Sequence, residues 1–479
     1  MSPLHFEIRF RWVFCQLDTL RQCLPQSVRR TLTELPKSLD ETYERVMTEI
    51  KSANQVHAYR MLQCLTVASR PLSVAELAEL LAFDFDVAKG ETPKLNSDWR
   101  WGDQEEAVLS TCSSLITVVP DNDTMLVQFS HFSVKEFLMS DRLATSTGEI
   151  AQYHISIPDA HTVLAQACLG VLLRDSDVTN GTDNSPLAGY AARHWVAHAQ
   201  VEDVASRVRN GMESLFSLDK PYFEAWLKIY NIDAQFYFRL MPHSEPEARR
   251  LYYAALCGFH ELVEHFLLKY PQYASATGGH CGTALHSASI SGHLHVVQSL
   301  LRHGVDVDVP NHEKSTPLLL ATKWRHRDVV QYLLDHGADV NLKAEGLNTP
   351  LNWAAYNGDI DIVRMLLEHN ADVNSKDSFD STPLHDAILA YDPKGGHPQV
   401  VRLLLDHGAD TKAQDSKRQT PLHKMTFGQL GPDLDVVRML LEHSTDLDVE
   451  DEDGRTPLQL ALMHEEVEVA RLLSEFHPR

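Results

Sequence analysis

A Thr-Pro/Ala-Leu anchor recurs six times in the second half of the chain, at Thr283, Thr316, Thr349, Thr382, Thr420 and Thr456. The intervals are 33, 33, 33, 38 and 36 residues. No other feature constrains the fold as tightly. A fixed period of this length means one small unit stacked on copies of itself, because no unit buries its apolar face alone.

Each anchor opens an apolar helical pattern. A second pattern of the type Val-Val-x-x-Leu-Leu follows, as in Val296–Leu301, Val329–Leu334 and Val400–Leu405. Thr reads as the N-cap, and Pro falls at the first helical position, where a missing N–H costs nothing. Gly292 and Gly358 are expected in the left-handed conformation after the first helix, and Gly304, Gly337 and Gly408 are expected to end the second. Arg325 stands where that pattern wants Gly, at a cost of roughly 1 kcal/mol. The longer intervals imply insertions at Asp392–His397 and Gly428–Asp433. Arg249–Gly258 and Leu262–Leu268 fit the same register without the Thr anchor and read as a degenerate first unit.

Thr283-Ala-Leu-His286, Thr382-Pro-Leu-His385 and Thr420-Pro-Leu-His423, with turns such as His336-Gly-Ala-Asp339, closely resemble the ankyrin-repeat family. The resemblance implies protein partners held on a concave face of first helices and finger tips. Its variable positions here are Leu320, Trp353, Asp386 and Lys424 at the fourth residue after each anchor. Lys323, Trp324, Tyr356 and Asn357 stand at the seventh and eighth, and Phe379, Lys417, Arg418 and Arg455 at the tips. Exposed Trp and Tyr are frequent interface anchors. The competing reading is that these aromatics merely cover neighbouring helices.

The chain holds 26 His, which invites a metal hypothesis. Nine of them, at 286, 293, 303, 336, 369, 385, 407, 423 and 443, recur at fixed positions of the repeat. The resemblance implies that the anchor His bridges neighbouring loops, so no metal is expected. Seven scattered Cys without a CxxC pair read as buried free thiols of a reducing compartment, and a cytoplasmic or nuclear location is expected. The apolar run His161–Arg174 is too short to span a bilayer. Lys+Arg 43 against Asp+Glu 66 leaves a net charge of −23, which repels phosphate backbones and anionic lipid. Neither nucleic-acid nor membrane partners are expected. Residues 431–479 alone carry 4 basic and 13 acidic residues, concentrated on Asp446–Asp453. That segment is either a solvated tip or a patch steering a basic partner.

The first half reads as a helical segment over 1–60, a winged-helix-like domain over 61–145 and a helical linker over 146–248, ahead of repeats over 249–479. The expected fold class is therefore mainly α. Helices are expected over Phe10–Leu24 and Ser27–Leu35, from a capping box at Ser38–Glu41, and after Ser73. Ser114–Val119 and Met125–Phe129 flank the turn residues Pro120–Thr124 and predict a hairpin, with a helix from Ser133 to Leu138 behind it. Val74–Ala82, where a DNA-reading helix would fall, carries Glu76 and Glu79 and no base.

Phe10–Leu20, Leu35–Tyr43, Arg70-Pro-Leu, Phe129–Leu138 and Tyr190–Ala199 look like the region downstream of the nucleotide domain in fungal NACHT–ankyrin proteins of the NLR-like STAND class. In that class a His after the wing can touch bound diphosphate, and His131 occupies the matching place, to be read either as a vestigial nucleotide sensor or as a buried helix-capping His. No G-x-x-x-x-G-K-[ST] loop occurs in the sequence, nor G-x-S-x-G, H-E-x-x-H or G-x-G-x-x-G. The chain therefore reads as the C-terminal portion of such a protein. No cofactor, small-molecule substrate or catalysis of its own is expected. Interaction through the repeats is the expected role, and the sensor half of an ATP-dependent switch is the alternative.

Overall fold

The computed structural model describes residues 38–87, 91–99, 102–112, 114–122, 124–174, 185–235, 246–389, 397–426, 433–443 and 446–476. The chain divides into two compact units, Met1–Ala234 and Gln235–Arg479. The helices expected before Ser38 lie outside the described residues, as do both insertions apart from His397 and Asp433.

In the first unit α1 (Leu39–Thr48) begins at Ser38, whose Oγ accepts the Glu41 N–H at 3.2 Å. Helix α2 (Gln55–Val67) leads through Arg70-Pro71 to β1 (Leu72–Ser73) and α3 (Val74–Leu81). Ser73 and Glu76 close a reciprocal capping box there. A ribbon of β2 (Phe83–Asp84) and β3 (Lys94–Leu95) precedes α4 (Gln104–Cys112). Strands β4 (Ile116–Asp121) and β5 (Thr124–Phe129) then join β1 in an antiparallel sheet of order β1-β5-β4.

The wing is longer than the sequence suggests. Pro120 pairs with Met125 and Asp121 with Thr124, so most of the expected turn is strand. Asn122, at φ 50°, supplies the left-handed residue that a tight hairpin needs. The acids of α3 turn inward. Glu76 binds Arg70 through two hydrogen bonds, and Glu79 accepts from the Ser185 hydroxyl and the Leu187 N–H.

Behind the wing come α5 (Phe132–Leu138), α6 (Asp141–Ala144), α7 (Ile157–Leu172), α8 (Ala188–Ala199), α9 (Val204–Arg207), α10 (Arg209–Leu215) and α11 (Tyr222–Ile229). Helix α7 holds the apolar run noted above and packs against α2 and α8. Trp195 meets Trp226 edge-on at 5.4 Å, and Phe216 and Phe223 complete the cluster.

The second unit is a stack of helix pairs. The first helices are α12 (Pro246–Leu256), α14 (Ala284–Ser291), α16 (Pro317–Lys323), α18 (Pro350–Asn357), α20 (Pro383–Leu389), α22 (Pro421–Lys424) and α24 (Pro457–Met463). The second helices are α13 (His260–Lys269), α15 (Leu294–Arg302), α17 (Arg327–Asp335), α19 (Ile360–Glu368), α21 (Pro398–Asp406), α23 (Leu434–Glu442) and α25 (Val467–Phe476). First helices pack on first helices and second on second, in chain order. The Val-Val and Leu-Leu positions form the core between layers, with Val296, Val297, Leu300, Val329, Val330 and Leu333 almost fully buried. The degenerate first unit joins through α12 against α14.

Histidine does three separate jobs here. His286 Nδ1 accepts from the Thr283 N–H and hydroxyl, and its Nε2–H donates to Ser315 O at 3.0 Å in the next finger. His385 and His423 repeat that bridge to Gln419 O and Arg455 O. A second column donates backwards to the end of the preceding first helix: His293 to Leu256 O, His326 to Ile290 O and His397 to Tyr356 O. The third closes second helices, as His303, His336, His369, His407 and His443 donate from Nδ1 to the carbonyl four residues back.

The second column explains Arg325. Any Cβ on Gly258, Gly292 or Gly358 would strike the ring of His293, His326 or His397 in the following unit. Arg325 keeps the left-handed backbone, at φ 65°. The residue facing it, however, is Asp359, which has no ring, and Arg325 Nε lies 3.5 Å from its carboxylate.

Candidate protein-interaction face

Each finger is built before its tip is exposed. In four of the five fingers the Oδ1 of Asn311, Asp377, Asp415 or Asp451 accepts two backbone N–H groups across the turn, while Ala344 stands at that place in the Leu347 finger. One residue of each tip, Lys314, Leu347, Asp380, Arg418 or Gly454, is left-handed. Adjacent tips then bond through backbone: Glu345 N–H to Glu313 O, Ser378 to Gly346 O, Ser416 to Phe379 O and Glu452 to Lys417 O, at 2.7–3.0 Å. The result is a continuous ridge.

The predicted contact residues separate into three groups. Trp324, Tyr356, Phe379, Lys417 and Arg418 are exposed, Phe379 by 66%. Trp353 is half-buried, edge-on to Tyr356 at 6.2 Å, with Lys323 Nζ 4.6 Å from its ring centre. These residues lie on α16, the turn after it, α18 and two fingers, and form a candidate face. Leu320 is a correction. It is 1% exposed and belongs to the core, although it shares the register of Trp353.

Four others are committed within the fold. Lys424 Nζ sits 2.5 Å from Asp415 and also donates to Gln419. Asn357 donates to Thr322 O and Lys323 O of the preceding helix. Arg455 is paired with Asp453. Asp386 accepts from Asn352 Nδ2 at 2.8 Å, and burial raises its carboxyl to about 7.

Exposed apolar residues that the sequence does not single out include Leu347 and Leu389. Register could have found both. Leu347 has the tip position of Arg418, and Leu389 the seventh position of Lys323 and Tyr356.

In the first unit His131 caps α5. Its Nδ1 accepts the Ser133 N–H at 3.2 Å and contacts Ser133 Oγ at 2.6 Å, which in turn lies 2.8 Å from the Tyr43 hydroxyl. An open cleft of about 1090 Å³ lies along β3, the end of α7 and α10. Lys94, Arg174 and Lys220 line it together with Glu91 and Glu213, so its charge is mixed. Among the described residues no group of His, Cys, Asp or Glu is placed to hold a metal ion. No described helix is long and apolar enough to cross a membrane.

Residues 251–344, 342–415 and 390–478 match the ankyrin-repeat family in three copies. Residues 43–150 match the winged helix domain of GPI inositol-deacylase. The chain thus carries a winged-helix domain in its first half and ankyrin repeats in its second. It is also similar to the azaphilone pigments biosynthesis cluster protein L of Monascus ruber, with 30% identity over 298 residues. That match covers 58% of this chain and 61% of the relative.

Proposed function

We propose that the chain is a non-catalytic interaction module that captures a protein partner on the first-helix and finger face of its repeats. The observation that carries this reading is the aromatic group of exposed Trp324 and Tyr356 with half-buried Trp353, presented by the stacked first helices. Large flat side chains bury much area at little entropic cost, which suits them as anchors. Selection of a random linear-peptide library on the full chain is the test. Peptides recovered on the wild type are expected to lose binding to the Trp324→Ala, Trp353→Ala variant while its circular dichroism stays native. Undiminished binding would move the site elsewhere, and an empty selection would sink the reading.

A second reading has its own support. The winged-helix match, with His131 directly behind the wing, suits the regulatory half of a NACHT-type switch whose nucleotide domain is supplied elsewhere. In the interaction reading the chain alone binds no ATP by calorimetry; measurable affinity would overturn that reading.

A further inference from the structure

The finger ridge has an order. From Leu347 (47% exposed) it passes to Phe379, then to Lys417 and Arg418, then to the exposed acids Glu450 and Glu452. The backbone bonds between tips make these fingers neighbours in space; Phe379 and Lys417 stand one position before the register of Leu347 and Arg418, where the Phe379 finger carries the exposed Asp380. Among the described residues neither Lys417 nor Arg418 is in an ion pair, in contrast to Lys424, Arg455 and Arg471. The acids beyond them extend through Asp446 and Asp448, also exposed. An apolar, aromatic, basic and acidic series on one ridge is therefore left without internal partners over its basic step.

We propose that this ridge reads an extended segment of the partner whose side chains run apolar, apolar, acidic, basic. The inference rests on the interaction reading above and adds the partner's chemistry and polarity. Stacked helices repeat every 8–10 Å or so, and an extended chain advances about 3.3 Å per residue, so one tip corresponds to about three residues. The expected pattern is then one contact residue followed by two spacers. Apolar contacts at Leu347 and Phe379 supply the anchor, and the two opposite-charge contacts fix register and exclude the swapped order. A helix would present its side chains at a different spacing and would not follow the tips one for one.

Two synthetic peptides decide the matter, Leu-Ser-Ser-Leu-Ser-Ser-Glu-Ser-Ser-Arg and its charge-swapped form Leu-Ser-Ser-Leu-Ser-Ser-Arg-Ser-Ser-Glu. Fluorescence anisotropy with the full chain at low salt is expected to show the first binding about tenfold more tightly. Lys417→Glu with Arg418→Glu, both on exposed side chains, should reverse the preference. Phe379→Ser should weaken both peptides alike. Equal binding of the two peptides, a preference that survives the double charge reversal, or no binding of either overturns the proposal. If the library selection still yields peptides dependent on Trp324 and Trp353, only the ridge inference falls; an empty selection removes the interaction reading itself.

Discussion

Arg325 and Asp359 show how one residue's identity licenses another's. Gly is required after a first helix for two reasons, the positive φ and the imidazole stacked above it. Asp359 removes the second reason and answers the Arg325 guanidinium, with Arg327 Nη2 also 3.0 Å away. Asp359→His alone is expected to destabilise by about 2 kcal/mol, since the ring meets the Arg325 side chain. Adding Arg325→Gly should recover most of the loss, and urea unfolding of the four-member cycle measures the coupling. Additive effects would show that the two sites are independent. Asp386 is a second residue-scale case. Its carboxyl is raised above its unfolded value, so the native state holds a proton that the unfolded state has released. The stability it contributes is present at low pH and is lost as pH rises from about 4 to 7. Asp386→Asn should therefore stabilise above neutrality by about 1 kcal/mol while still accepting from Asn352.

At the scale of elements, the His columns tie finger to finger. Burial depresses His286 and His385 to about 4, and both stay neutral in the fold. In the first unit burial and the neighbouring His161 depress His198 to about 3, where the Tyr190 hydroxyl lies 2.9 Å from its Nε2. A base whose folded pKa is depressed contributes stability above its unfolded pKa, near 6.5, and loses it as pH falls toward the folded value. Thermal unfolding should therefore fall steeply from about pH 7 to pH 5, against the trend set by Asp386. His286→Asn is expected to flatten this dependence, because Asn352 already performs the near half of the same job in another unit, accepting the Thr349 N–H. A flat melting temperature across that range would refute the burial of neutral imidazoles. The helix caps are simpler. Thr349→Ala should cost about 1 kcal/mol, as its hydroxyl accepts the Asn352 N–H.

At the scale of the whole molecule, two compact units and a nearest-neighbour stack imply unfolding in more than one step. Asp359→His should shift the repeat transition and leave that of the first unit in place, as followed by hydrogen exchange. Caps, stops and pairing of helices were legible in sequence because each is set within one unit by Thr, Pro, Gly and the apolar period. The three columns of His were only partly legible. His326 and His397 joined the second column through carbonyls roughly one repeat away, which no local pattern reveals. The candidate face was legible as register but not as exposure. Leu320 and Trp353 hold one repeat position, yet the first is core and the second a half-open surface. Sequence by itself determined the period, the caps and the order of charges along the fingers, since these are properties of covalent neighbours. Only the tertiary structure decided which of those side chains are free to meet a partner, because burial depends on the size of whatever the next unit places against them.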